Sequence, residues 1–219
     1  MSISKQVGKM NNKWWGDSNN AKDWIEQNQK RAKSNNGDNT TELSTEIFQN
    51  EIVNTKFKKS KDKFKTVLEV GSGDGRLIGP LSKKYKKIIC NAVDVNDILL
   101  EYIDTNWSDV RTYKGNITEL PFKDNEFDLV YTYQVIQHIH PEDIQQALQE
   151  LIRVGKEIWM FEGIGTVDYK NGSQTHKAHD GSWVWKIDEM INISDIEVKV
   201  PEFEGKKLER QRLYKVRKK

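Results

Sequence analysis

One cysteine, Cys90, in 219 residues excludes an internal disulfide and argues against both a cysteine zinc cluster and an oxidising compartment. An excess of one charge is also missing. The 35 Lys and Arg against 33 Asp and Glu leave a net charge of +2, far from the field of a general nucleic-acid binder. No stretch approaches the ~18 consecutive apolar residues of a membrane span, and the N-terminal residues are polar, without the apolar core of a signal peptide. A cytoplasmic protein with no membrane partner is the expectation. Hydrophobic residues are few, at 36% against 31% charged, but seven Trp, seven Tyr and seven Phe argue against global disorder. Two local basic stretches, Lys56 to Lys65 and Lys215 to Lys219, read as a solvated linker and a charged tail, with contact to phosphates as the other reading.

The length suits one sizeable core, hence one domain. From about Asn19 to Thr55 the apolar spacing is helical, with Trp24 and Ile25 in one segment, Leu43, Ile47, Phe48 and Ile52 in a second, and the polar break 34–39 between them. Beyond the Lys-rich linker, Thr66 to Val70 (TVLEV) is a short apolar run ending in glycines, which reads as a buried strand entering a tight turn. Helix and strand patterns then alternate: a helix over Arg76 to Tyr85, and strands over Ile88 to Val95, Val110 to Lys114, Glu126 to Thr132 and Glu157 to Glu162. The clearest helix follows Pro141, where Ile144, Ala147, Leu148, Leu151 and Ile152 repeat at helical spacing. Ser194 to Val200 and Leu208 to Val216 read as two strands joined by a short connection. The expected fold is α/β: a mostly parallel seven-stranded sheet with helices on both faces and an antiparallel C-terminal edge hairpin.

The segment EVGSGDG, Glu69 to Gly75, closes the first strand and opens a helix. Glycines there permit a tight turn and close approach of a ligand, and the helix N-terminus offers N–H groups to an anion. A purely structural turn is the other reading. Asp94 ends the second strand a little over ~20 residues later, where a carboxylate can accept hydrogen bonds from ribose hydroxyls.

An acidic residue followed by G-x-G-x-G, then VDVNDILL (Val93 to Leu100), GNITELPFKDNEFDLVYTYQVIQHI (Gly115 to Ile139) and the amphipathic helix, resembles the class I, Rossmann-like S-adenosylmethionine-dependent methyltransferases, particularly the small type 11 enzymes. The resemblance covers roughly residues 64 to 165. It implies that Glu69, Gly71, Gly73 and Gly75 surround the methionine part of S-adenosyl-L-methionine, that Asp94 meets its ribose and that Val95 lies beside its adenine. Where many relatives have Asp and a small or apolar residue at the adenine edge, this chain has Asn116-Ile117, whose Asn carbonyl can still accept a hydrogen bond. Tyr131 and Tyr133, near the end of the fourth strand, are placed to face the methyl donor, a cation that an aromatic face favours.

Methyl transfer asks the protein to align an acceptor and exclude water, and asks for a base if the acceptor must lose a proton. No metal is required, and none is expected from the H-x-x-H-D spacing at His176. His138 and His140 follow the fourth strand, at the ligand-bordering edge of an open α/β sheet. His176 and His179, with Asp180, lie in the polar loop Val167 to Ser182. His138 is the candidate base, with a capping or packing role as the other reading, and His176 and His179 are candidates for acceptor recognition. The loop reads either as an acceptor-binding lid or as a surface connection whose Trp183 and Trp185 dock into the core. Trp14 and Trp15 must dock somewhere, over the cofactor or against the sheet.

Residues 1–219 are therefore read as a single methyltransferase domain: a polar tail at 1–18, an N-terminal helical cap at 19–60, a cofactor-binding core at 64–165, and the acceptor loop and hairpin at 166–219. The acceptor is expected to be a small molecule or a glycan, methylated at a hydroxyl oxygen. The alternatives are an RNA or protein methyltransferase docking through the basic stretches, and a catalytically silent cofactor-binding protein. Against RNA, Tyr131-Thr-Tyr133-Gln134 stands where amino-directed nucleic-acid enzymes carry an Asn/Asp-Pro-Pro-aromatic signature.

Overall fold

In the computed structural model the structure describes residues 16–33, 63–163, 175–177, 183–191, 196–199, 202–203, 206–207 and 211–217. Trp14, Trp15, the second helical pattern around Ile47 and most of the 167–182 loop lie outside the described residues. Helix α1 (Ser18–Lys33) precedes the sheet. The core then runs β1 (Thr66–Val70), α2 (Ile78–Lys84), β2 (Ile89–Asp94), α3 (Asp97–Asn106), β3 (Val110–Lys114), β4 (Phe127–Tyr133), a 3-10 turn (Ile136–His138), α4 (Ile144–Val154) and β5 (Gly155–Gly163). After it come β6 (Thr175–Lys177), β7 (Trp183–Trp185), α5 (Ile187–Met190), β8 (Ile196–Lys199), β9 (Glu202–Phe203), β10 (Lys206–Lys207) and β11 (Gln211–Arg217).

Seven strands form one sheet in the order β3-β2-β1-β4-β5-β11-β8. The first five are mutually parallel, and β11 runs antiparallel to both β5 and β8. The fold class read from the sequence is therefore the fold class found. Successive strand residues point to opposite faces, so each buried strand supplies both cores. On one face Val67, Cys90, Leu129 and Trp159 meet Leu77, Ile78 and Leu81 around α2 and Ile103 of α3. On the other, Leu68, Val130, Ile158 and Met160 meet Ile144, Ala147, Leu148 and Leu151 of α4. Each Val, Leu, Ile or Met among them, fully buried, contributes roughly 1.5–3 kcal/mol. At the opposite end from the strand C-termini, Asp128 pins β1 to β4 by accepting from the N–H of Lys65 (2.8 Å) and Thr66 (3.1 Å).

Helix α3 starts where the Asn96 side chain accepts from the Ile98 N–H at 3.0 Å, and it ends against α2. There Gly79 is packed so closely that an added Cβ would lie 2.1 Å from Trp107 Cδ2. Gly79→Ala is expected to destabilise the fold by ~1–3 kcal/mol through overpacking. Urea unfolding checks this, and a midpoint equal to the parent's would mean that Trp107 yields freely.

Candidate functional site

Strand order reverses between β1 and β4: the chain steps outward from β1 to β3, then returns to lay β4 on the other side of β1. In open α/β sheets the ligand crevice opens at the carboxyl ends of the strands beside such a point. The residues gathered there are the glycine loop after β1, Asp94 ending β2, and the segment after β4.

The loop folds onto β2, with the N–H groups of Gly71 and Ser72 donating to Val93 O at 2.9 and 3.2 Å. Asp94 locks it. One carboxylate oxygen accepts from Gly73 N and the other from Asn96 N, both at 3.0 Å. Burial pushes the Asp94 carboxyl up from its ordinary range, partly offset by these backbone donors. Gly71 and Gly73 have φ of +69° and +56°, which L side chains rarely adopt. The protein's own packing forbids a side chain as well. An added Cβ would lie 2.6 Å from Val135 Cγ2 at Gly71 and 2.7 Å from Trp24 Cη2 at Gly73. Gly75 is similarly closed, at 2.9 Å from Ile103 Cγ1. The glycines thus serve close contact with α1 and the segment after β4 as well as the turn.

Glu69 is buried, and its Oε2 accepts from Tyr131 Oη and from Ile78 N, both at 3.1 Å. The amide at the start of α2, which the sequence reading offers to a ligand's negative group, is thus occupied by the chain's own carboxyl. Burial, against the lowering effect of those two donors, raises the Glu69 pKa to about 8. Tyr131, 1% exposed, is raised too, by burial first and then by Glu69. Glu69 and Tyr131 sit together on the α2 face of the sheet. Tyr133 is half-buried and stacks on Phe161, with ring centroids 5.3 Å apart.

Val95 is half-buried after β2. Asn116 is exposed, its side-chain oxygen accepting from Thr118 N at 3.1 Å, while Ile117 is buried in the α4-side core. His138 ends the 3-10 turn, half-buried, with Nε2 lying 3.3 Å from Gln137 Nε2. His140 is buried, accepts from Glu142 N at 3.3 Å and stands edge-on to Trp183. His176 is in β6, opposite Val184 of β7, and His179 lies outside the described residues. Trp185 is buried and donates from Nε1 to Ile136 O at 3.0 Å, so β7 docks on the turn that carries His138. In the basic stretches, Lys63 pairs with Glu157, and Lys215 is buried with Nζ 4.5 Å from the Trp159 ring centre.

The arrangement also contains residues that the sequence reading did not select. Trp24 of α1 lies over Gly73, with the Arg76 guanidinium 4.4 Å from its ring centre. The helix start is held there by Asn96, which donates to Asp17 O at 3.3 Å. Gln134 has a φ of +57° without being glycine. Glu162 is buried at the end of β5. Glu162 was readable, because it closes an apolar strand as Asp94 does. Gln134 and Trp24 gave no such signal.

A nucleoside-bearing sulfonium fits these residues. Three of the loop's residues, Gly71, Gly73 and Gly75, carry no Cβ, Ser72 Oγ is buried in the loop without a hydrogen-bond partner among the described residues, and the Asp94 carboxylate, which meets the N–H groups of Gly73, Asn96 and Val95, keeps room for a further donor.

Residues 67–157 match the family model described as methyltransferase domain. Among the curated relatives is a probable S-adenosylmethionine-dependent methyltransferase of Mycobacterium tuberculosis, 27% identical over 111 residues that make up 50% of this chain and 39% of that protein. Phosphoethanolamine N-methyltransferase 1 of Triticum aestivum is 30% identical over 98 residues, 41% of this chain and 19% of that one. The chain thus spans well under two thirds of the length of either relative. Among solved structures, the TehB-like S-adenosylmethionine-dependent methyltransferase of Corynebacterium glutamicum shares the fold at a TM-score of 0.63 and 15% identity, covering 93% of this chain and 100% of that one.

Proposed function

From the match of residues 67–157 to the methyltransferase-domain model and from the fold, we propose that the chain is a class I S-adenosylmethionine-dependent methyltransferase that transfers a methyl group from S-adenosyl-L-methionine to a hydroxyl oxygen of a small molecule or sugar. The observation that carries this reading is the contact of three segments at one point. Asp94 holds Gly73, Trp24 lies on Gly73, and Val135 lies on Gly71, which brings the His138 turn against the glycine loop.

The cofactor when bound supplies an electrophilic methyl group on a sulfonium. Asp94 would accept from ribose hydroxyls, Ser72 and the loop backbone would meet the amino-acid end, and Val95 and Asn116 would border the adenine. The face of Tyr133 suits the positive sulfur better than buried Tyr131 does. His138 would take the acceptor's proton. In the tautomer that leaves Nε2 unprotonated, His138 would accept from the Gln137 amide 3.3 Å away, and a substrate hydroxyl would replace that amide as its donor.

Replacing His138 with Ala is expected to lower kcat by ~10²-fold while leaving cofactor affinity within about twofold. His176→Ala and His179→Ala are expected to raise mainly the acceptor KM. Kinetics with a hydroxyl acceptor across pH decide this, and a parental kcat in His138→Ala removes histidine from the chemistry.

A further inference from the structure

Gln134, Glu162 and Gly163, at the ends of β4 and β5, have no part in the steps above. Gln134 has left-handed backbone without being glycine, which stores strain of the kind found at functional sites. Opposite it, Gly163 ends β5. An added Cβ there would come 3.2 Å from Gln137 Oε1 and 3.5 Å from Gln134 Oε1, so both amides meet over this glycine. Gln137 in turn touches His138.

Beneath the turn lies Glu162, 3% exposed. Its Oε1 accepts from Thr132 Oγ1 at 2.9 Å and from Val135 N at 3.3 Å, and the N–H groups of Ile136 and Gln137 also face the carboxyl. Its Oε2 is buried without a hydrogen-bond partner among the described residues. Thr132 comes from β4 and His138 from the turn, with Trp185 from β7 bound to the same turn. Arg212 of β11 is the cross-strand partner of Glu162, and His140 stands before α4.

We propose that Glu162 is a positioning residue of the acceptor site: its carboxyl oxygen holds the 3-10 turn from below and so fixes Gln134, Gln137 and His138 as an uncharged hydrogen-bonding edge for a hydroxyl-bearing acceptor. The proposal rests on the methyl-transfer reading for the acceptor but not for the turn. Two amides and an imidazole offer donors and acceptors together, as a hydroxyl group requires, and present no formal charge to attract a phosphate or an ammonium. Burial also raises the Glu162 pKa to about 7. The carboxyl is therefore held against its own solvation by the turn it caps.

An isosteric pair tests this. Glu162→Met removes the oxygen without leaving a large cavity, and Glu162→Gln keeps an acceptor in the same place. Hydrogen exchange of the Val135, Ile136 and Gln137 amides, measured on the free protein, should speed up by about tenfold or more in Met and stay near parental in Gln. With methyl-labelled cofactor and a hydroxyl acceptor, Met should raise the acceptor KM by about tenfold and Gln by less than about threefold, with cofactor affinity unchanged in both. Parental exchange and KM in Glu162→Met overturn the proposal, as does a Gln variant as impaired as Met. If the parent itself transfers no methyl group, the methyl-transfer reading fails, and the exchange rates still decide whether Glu162 holds the turn.

Discussion

Asp94→Ala is expected to weaken binding of S-adenosyl-L-methionine by ~10- to 100-fold, and Gly73→Val by at least as much. The carboxylate holds the backbone N–H groups of Gly73 and Asn96, and that of Val95 also faces it. Charge-assisted hydrogen bonds of this kind contribute roughly 1.5–3 kcal/mol each, and ~1.4 kcal/mol is a factor of ten in affinity. Alanine loses the contacts to the loop and the group proposed to meet the ribose together. At Gly73 the obstacle is steric twice over: the backbone is left-handed, and the new Cβ would enter the Trp24 ring at 2.7 Å. Titration calorimetry, with circular dichroism to verify folding, is the measurement. Parental affinity in both variants would mean that the cofactor lies elsewhere.

The second large effect is on stability against pH. Glu69 has a folded-state pKa of about 8 and Glu162 of about 7, each against an ordinary 4.5 and each because burial disfavours the charged form. The folded state therefore holds these protons more tightly than the unfolded chain does. Their contribution to stability is fully present below about pH 4.5 and is lost as pH rises through about 7 for Glu162 and about 8 for Glu69. Glu157 and Glu150 act in the opposite sense. In Glu157 burial works to raise the pKa, but Lys63 and Trp159 bring it below the usual carboxylate range, and in Glu150 the bond from Arg153 lowers it. Their contribution is lost at acid pH. Unfolding free energy is thus expected to peak near pH 5 and to fall by a few kcal/mol by pH 8, with Glu69→Gln flattening much of that slope. Urea unfolding at pH 5, 6, 7 and 8 is the check, and a parental stability that stays level or rises over this range contradicts the assignment.

The sheet was legible because its strands are short apolar runs closed by Gly or by a carboxylate, and α4 because its apolar residues recur at helical spacing. The edge hairpin was legible from two strand patterns with no helix between them. The cofactor side of the site was legible in part: Asp94 and the glycines adjoin in the structure, but the glycines face Val135, Trp24 and Ile103, long-range neighbours that no local pattern names. Tyr131 shows the limit of reading residues one strand at a time. Near the carboxyl end of β4 it looked placed for the methyl donor, while it is buried in the α2-side core, where its hydroxyl serves Glu69. Tyr133, two residues on, lies against Phe161 nearer the crevice. The acceptor edge was the least legible, since Gln134, Gln137 and Glu162 meet only through the pairing of β4 with β5.

The most direct measurement of the central claim incubates the protein with S-adenosyl-L-methionine labelled in its methyl group and with fractionated metabolites, glycans and RNA, then locates the label. Label on a hydroxyl of the small-molecule or glycan fraction is the expected result, and it should vanish with Asp94→Ala. Cofactor binding with no labelled fraction, or label confined to RNA or protein, would contradict the account.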